Sequence, residues 1–273
     1  MRYVIRSLAL TATFAVFVIG SSGTARADDA AWKTAYDTDP HLPLTAEQVE
    51  MTAVKRAAEP AGTDVTLAAS ISPSVVCASC SGGGYPSSAH LAANQTAQST
   101  SYYCGPASVH EALGAIGISL SQASAATKLH TTTDGTAWSG GGTSPSGYPV
   151  PDVLNAMQGR NYYVPQPVSI AVTSDTVSTY KRDLRVDIYT VRAPLVGDAW
   201  EAPGGPHLVG HPTNREIFHW FEIRGYQNTG GSTMYEDSVH GASSISWSGS
   251  VPAYSTLASS TIVTIVSGRG YVW

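Results

Sequence analysis

Apolar residues recur every three or four positions through much of the first half of the chain and alternate through the second. In "CGPASVHEALGAIG", Val109, Leu113 and Ile116 share one helical face, with Pro106 in the first turn and Gly117 placed to end the helix. An earlier helix is signalled in "LTAEQVEMTAVKRAAEP", where Thr45 and Gln48 form a capping box and Pro60 stops the run. A further one starts at Ser119 or Ser121 in "SLSQASAATKLH", and "YPVPDVLNAMQGR" predicts a short helix capped near Pro151. Five later segments read as strands: "PVSIAVTS", "APLVGDAW", "EIFHWFEIRGY", "TMYEDSV" and "TIVTIVS". "QNTGGS" joins the third and fourth as a hairpin connection. Helices followed by a mostly antiparallel sheet make the expected class α+β.

The ends of the pattern suggest three regions. "MRYVIR", the apolar "SLALTATFAVFVIG" and "ARA" have the layout of a secretory signal peptide over 1–27, so the chain is expected to be exported. That apolar run is short for a bilayer-spanning helix, which needs about 20 such residues, so stable membrane insertion is not expected. Residues 28–95 are Gly-, Ser- and Pro-rich after the first helix and read as an N-terminal extension, propeptide or linker; 96–273 form the main domain. Without Arg2, Arg6 and Arg26 the chain keeps 12 Lys+Arg against 20 Asp+Glu, a formal charge of −8. Nucleic acid is a poor partner for that balance, since a phosphate backbone demands clustered basic residues.

Three cysteines in an oxidising compartment leave an odd thiol. Cys77 and Cys80, in "CASC", can close on each other, act as a redox pair or stay free. Cys104 has no near neighbour in sequence. It stands where a helix begins, and unpaired backbone N–H groups and the positive end of the helix dipole favour a thiolate there. The bland alternative is a small buried hydrophobe. Six residues earlier, the amide of Gln98 and the Cys104 backbone N–H could meet a developing oxyanion.

A thiol nucleophile needs a base. Most of the eight histidines fall in polar, irregular segments, and His110 is rotated away along the Cys104 helix. His219 lies inside a strand, on a face with Ile217, Phe221 and Ile223, while Phe218, Trp220 and Glu222 take the other. Apolar neighbours would hold its imidazole as a general base requires; a satisfied core histidine is the rival reading. The hairpin partner offers Glu236 and Asp237 on opposite faces, and Asp237 is preferred as the acceptor that orients His219. His207 and His211 have H-x3-H spacing without a helix to present it, so no metal is expected and no cofactor is implied.

"Q-x5-C-G-P-A-S", "HWFEIRGY" and "YEDSV" together resemble papain-like cysteine peptidases of the bacteriocin-leader type, peptidase family C-thirty-nine. The resemblance spans roughly residues 95–255 and includes "SLSQASAATKL", "DGT" and "VLNAM". It implies a papain-like fold and a peptide or protein substrate. It also implies roles for Gln98 as oxyanion donor, Cys104 as nucleophile, His219 as base and Asp237 as third member. Ser238 stands where the family commonly has proline, and "EAPGGPHLVGHPTNR" before the His219 strand is longer than usual. A cell-wall amidase or acyl transferase would use the same residues, and a catalytically silent module could keep the frame.

Overall fold

The computed structural model describes residues 33, 41–58, 76–77, 84–140 and 144–273. Among them are six α-helices: α1 (Ala46–Ala57), α2 (Cys104–Ala115), α3 (Gln122–Leu129), α4 (Pro149–Gln158), α5 (Ser174–Arg185) and α6 (Ser259–Val266). Eight strands form one sheet: β1 (Val76–Cys77), β2 (Ala89–His90), β3 (Pro165–Pro167), β4 (Leu195–Glu201), β5 (Ile217–Gln227), β6 (Ser232–Glu236), β7 (Tyr254–Ala258) and β8 (Gly270–Val272). Every pairing between these strands is antiparallel, so the class is α+β. No described helix is long and apolar enough to cross a membrane.

β5 organises the sheet. It pairs with β4 along 217–223 and with β2 at 225–226, while β6 pairs from Glu222 to Gln227. Gly225 and Tyr226 pair with both β2 and β6, which puts those two strands on opposite edges. The approach at Gly225 is tight: a Cβ there would lie 2.8 Å from the Ala89 carbonyl oxygen, so only glycine fits. Pairing with β6 stops at Glu222↔Glu236, and beyond that point the two strands part.

Helices cover both sides of the sheet. Leu195, Ala199, Phe221 and Ile223 pack with Tyr180 and Leu184 of α5 and with Ile262, Val263 and Val266 of α6. Val196 and Trp220, which point the other way along the same strands, pack with Val109, Leu113, Leu129, Val150 and Leu154 of α2, α3 and α4. His219 through Ile223 are therefore all buried, whatever their parity.

Several expected elements form as read. The Thr45–Gln48 capping box starts α1, and Ser121 caps α3 through the Ser124 N–H. α4 begins at Pro149, two residues before the expected cap. Two strand expectations are corrected. "TIVTIVS" is mostly α6, because burial against β4 outweighs the strand preference of its β-branched residues. "PVSIAVTS" is strand only at its first residue, in β3; the rest runs into α5, whose cap is a reciprocal Thr173–Thr176 box. α5 and the single π-helical turn after it (Val186–Val191) were not anticipated, so helices and strands interleave instead of forming two blocks.

The described residues of the 28–95 segment make contacts with the rest of the fold. Lys55 of α1 is buried against Asp187 at 3.0 Å, and Arg56 reaches Asp183 at 3.3 Å. Lys33 donates to the carbonyls of Thr264 and Ile265 at the end of α6, at 2.7 and 3.0 Å. Leu42 O accepts the Tyr148 hydroxyl at 2.7 Å. β1 and β2, from the same N-terminal segment, add to the sheet. Residues 1–27, expected to be a signal peptide, Pro60, Cys80 and the side chain of Cys77 lie outside the described residues.

Candidate active site

The opening between β5 and β6 receives the segment that carries Gln98 and Cys104. Asn94 N donates to Glu236 Oε1 at 3.1 Å, Thr96 N to Glu111 Oε1 at 2.7 Å and Gln98 N to Ser238 O at 2.8 Å. From α3, Gln122 holds the same segment at both flanks, accepting from Ser99 N at 2.9 Å and donating to Ala97 O at 3.0 Å. The chain then turns into α2 with Cys104 as its first residue, buried at 7% exposure. No side-chain cap meets the first N–H groups of this helix, which have no intrahelical acceptor of their own. Gly105 is needed beside it: a Cβ there would meet Thr136 Oγ1 at 2.3 Å. The Thr136 loop is pinned in turn by Trp220 Nε1, which donates to Thr136 O at 2.9 Å, and by Trp138 stacked on Trp220.

His219 meets Asp237 directly. Its Nε2 donates to Asp237 Oδ1 at 3.1 Å, which leaves Nδ1 as the ring nitrogen outside that bond. Burial opposes a charged imidazole. The charge and hydrogen bond of Asp237, then those of the Cys104 sulfur, outweigh it and hold the His219 pKa well above the usual histidine value. Burial also pushes Asp237 up, but the charge of His219 and the hydrogen bonds from His211 and His219 hold it well below the usual carboxylate range. The Val239 N–H adds a third donor to this carboxylate at 2.9 Å.

The four sequence-predicted residues thus converge on one opening. Glu236, the rival to Asp237, turns away to Asn94 and Arg224 and lies with Glu111 and Glu222 in a second, fully buried group of carboxyls. Gln98 is buried, with Oε1 accepting from Ser238 Oγ at 3.2 Å and Nε2 donating to Thr100 O at 2.7 Å. An amide nitrogen carries two N–H groups, so one remains for another acceptor.

Sequence reasoning missed His211. The sequence there offers only an H-x3-H spacing with His207 in an irregular loop. His207 contacts the carbonyls of Gly205 and Arg215, while His211 folds inward to Asp237 and Glu201. The pattern of "GPHLVGHP" carries no periodic signal for that inward turn; only the tertiary position of Glu201 produces it. His211, His219 and Asp237 present three metal-type donor atoms within 4.8 Å. Both His211 nitrogens and His219 Nε2 are engaged with carboxylate oxygens. A separate cavity of about 580 Å³ lies between the end of α3 and α4, lined by Lys128, Asp152 and Arg160 among others, and none of the four predicted residues borders it.

The Peptidase_C39 like family matches residues 90–256, more than half of the chain. The chain belongs to that family. The match covers Gln98, Cys104, His219 and Asp237, and begins at the end of β2, so the domain is of the papain-like cysteine peptidase type. No curated protein matches the chain.

Proposed function

We propose that this chain is a secreted cysteine peptidase that cleaves peptide bonds through Cys104, His219 and Asp237. The observation that carries the reading is one imidazole, His219, shared between a buried carboxylate on Nε2 and the sulfur of a helix-start cysteine. Cys104 Sγ attacks the carbonyl carbon of the scissile bond as thiolate. The oxyanion is met by the Cys104 backbone N–H and the second Nε2 hydrogen of Gln98. His219 gives its Nδ1 proton to the leaving amine, and the C–N bond breaks to leave a thioester on Cys104. Water then attacks that thioester with His219 as base, releasing the acid and restoring the Cys104 thiolate beside the His219 imidazolium. Asp237 keeps the ring oriented and stabilises the imidazolium. Docked on α4, α5 and α6, the described part of the extension reads as a structural strap of the exported protein.

The test is a peptide mixture incubated with the purified chain, with new N-termini read by mass spectrometry and Cys104→Ala as control. New termini that vanish with Cys104→Ala are expected. Their absence, together with Cys104-dependent release of amino groups from muropeptides, would replace peptidase by cell-wall amidase.

A further inference from the structure

The hydrogen bonds around Asp237 continue beyond His219. Asp237 Oδ2 accepts from His211 Nε2 at 3.0 Å, and His211 Nδ1 donates to Glu201 Oε2 at 2.8 Å. The side chains of Glu201 and His211 have no exposed surface. A neutral imidazole offers one N–H and one lone pair, so a histidine with a carboxylate at each nitrogen forms both bonds as an imidazolium. Glu201 is itself fixed, since Oε1 accepts from Leu208 N at 2.8 Å. That bond draws the long loop after β4 inward and delivers His211 to the site. Trp247 closes over the ring from outside, edge-on at 4.7 Å.

We propose that His211 and Glu201 are positioning residues for the thiol chemistry: His211, doubly protonated between Glu201 and Asp237, fixes the Asp237 carboxylate so that its other oxygen is aimed at His219. This rests on the Cys104–His219–Asp237 reading above. The charged groups form an alternating series, Glu201, His211, Asp237 and His219, ending at Cys104. His211 also contacts the His219 ring, at 5.3 Å between centroids. Around this series stand the Tyr235 hydroxyl, which accepts from Val209 N and senses Asp237 and Glu201, and Glu111, which senses both His219 and Asp237. Removing the His211 charge leaves excess negative charge beside His219, which must then hold its proton to higher pH. Removing Glu201 and His211 together restores the balance.

The experiment uses the purified full chain with isotope-labelled histidine and two readouts. Ring nitrogen signals give the protonation of His211 and the titration midpoint of His219; inactivation by a dipeptidyl acyloxymethyl ketone gives the reactivity of Cys104. The proposal expects both His211 nitrogens protonated at neutral pH. In His211→Gln it expects a rise in the His219 midpoint and about 10- to 100-fold slower inactivation. In Glu201→Gln/His211→Gln the midpoint should return toward that of the unsubstituted chain. A purely structural role would slow inactivation without moving the midpoint. A neutral His211 tautomer in the unsubstituted chain overturns the proposal, and this readout needs no variant to fold. An unmoved His219 midpoint with rates within twofold overturns it too, leaving the peptidase reading intact. Failure of the ketone to label Cys104 in the unsubstituted chain overturns the peptidase reading, and this proposal with it.

Discussion

Ser238 holds Gln98 twice, accepting its backbone N–H at 2.8 Å and donating its hydroxyl to Oε1 at 3.2 Å. The residue that departs from the family's usual proline thus fixes the rotation of the Gln98 amide. Ser238→Ala leaves a buried amide oxygen without that donor, which costs about 1 to 3 kcal/mol. Thermal unfolding should fall accordingly, and Cys104 acylation should slow while reagent affinity stays nearly constant. Equal stability and equal rate would show that the hydroxyl does not hold Gln98.

Gln98→Ala tests the oxyanion role. Loss of one such donor typically lowers kcat about 10²- to 10³-fold with little change in KM. Steady-state kinetics on a peptide found by the N-terminus screen would read the two separately. A loss confined to KM would place Gln98 in ground-state binding instead.

The pH dependence should follow His219. Burial lowers its proton affinity, and Asp237 more than offsets this, so the folded pKa lies well above the usual value. The imidazolium is then present below that raised pKa, and activity is lost as pH rises through it. Asp237→Asn removes the main raising influence. The alkaline limb should move down by about one pH unit or more, equivalent to about 1.4 kcal/mol per unit. A limb that stays in place would separate Asp237 from the titration of His219.

The second carboxyl group predicts an effect on stability instead of activity. Burial, then repulsion from Glu236 and Glu111, holds Glu222 well above the ordinary carboxyl range, and burial raises Glu236 to about 7. Folding therefore keeps protons that the unfolded chain releases above the ordinary glutamate value. The stability is fully present below that value and declines as pH rises toward and through the folded values, at about 1.4 kcal/mol per unit for each group. Glu222→Gln keeps a neutral polar group in place of the buried acid. Melting temperature against pH should be flatter in that variant, and higher at alkaline pH. A variant less stable than the parent at every pH would mean that Glu222 is held as a charged group.

What could be read in advance follows the range of the forces involved. α2, β5 and the β5–β6 hairpin are signalled by their own residues, through periodicity, glycine and turn chemistry, and the four converging side chains sit on or beside them. α6 was hidden because its strand-like "TIVTIV" is overruled by contacts with β4. α5 was hidden because "PVSIAVTS" drew attention from the Thr173 cap that follows it. His211 depends on Glu201, ten residues earlier, and on Asp237 from another strand; no local pattern encodes that meeting. Ser238 holds Gln98 through a contact 140 residues apart in sequence, which no local pattern signals.

The central claim is that Cys104 is a nucleophile made reactive by His219. The most direct measurement is the site and rate of covalent labelling by a peptidyl electrophile, with the modified residue located by peptide mass mapping. The account predicts a single adduct on Cys104 and a rate at least about 100-fold lower in His219→Ala, the scale of a positioned acid–base group. Labelling of Cys104 at an unchanged rate in His219→Ala would contradict it.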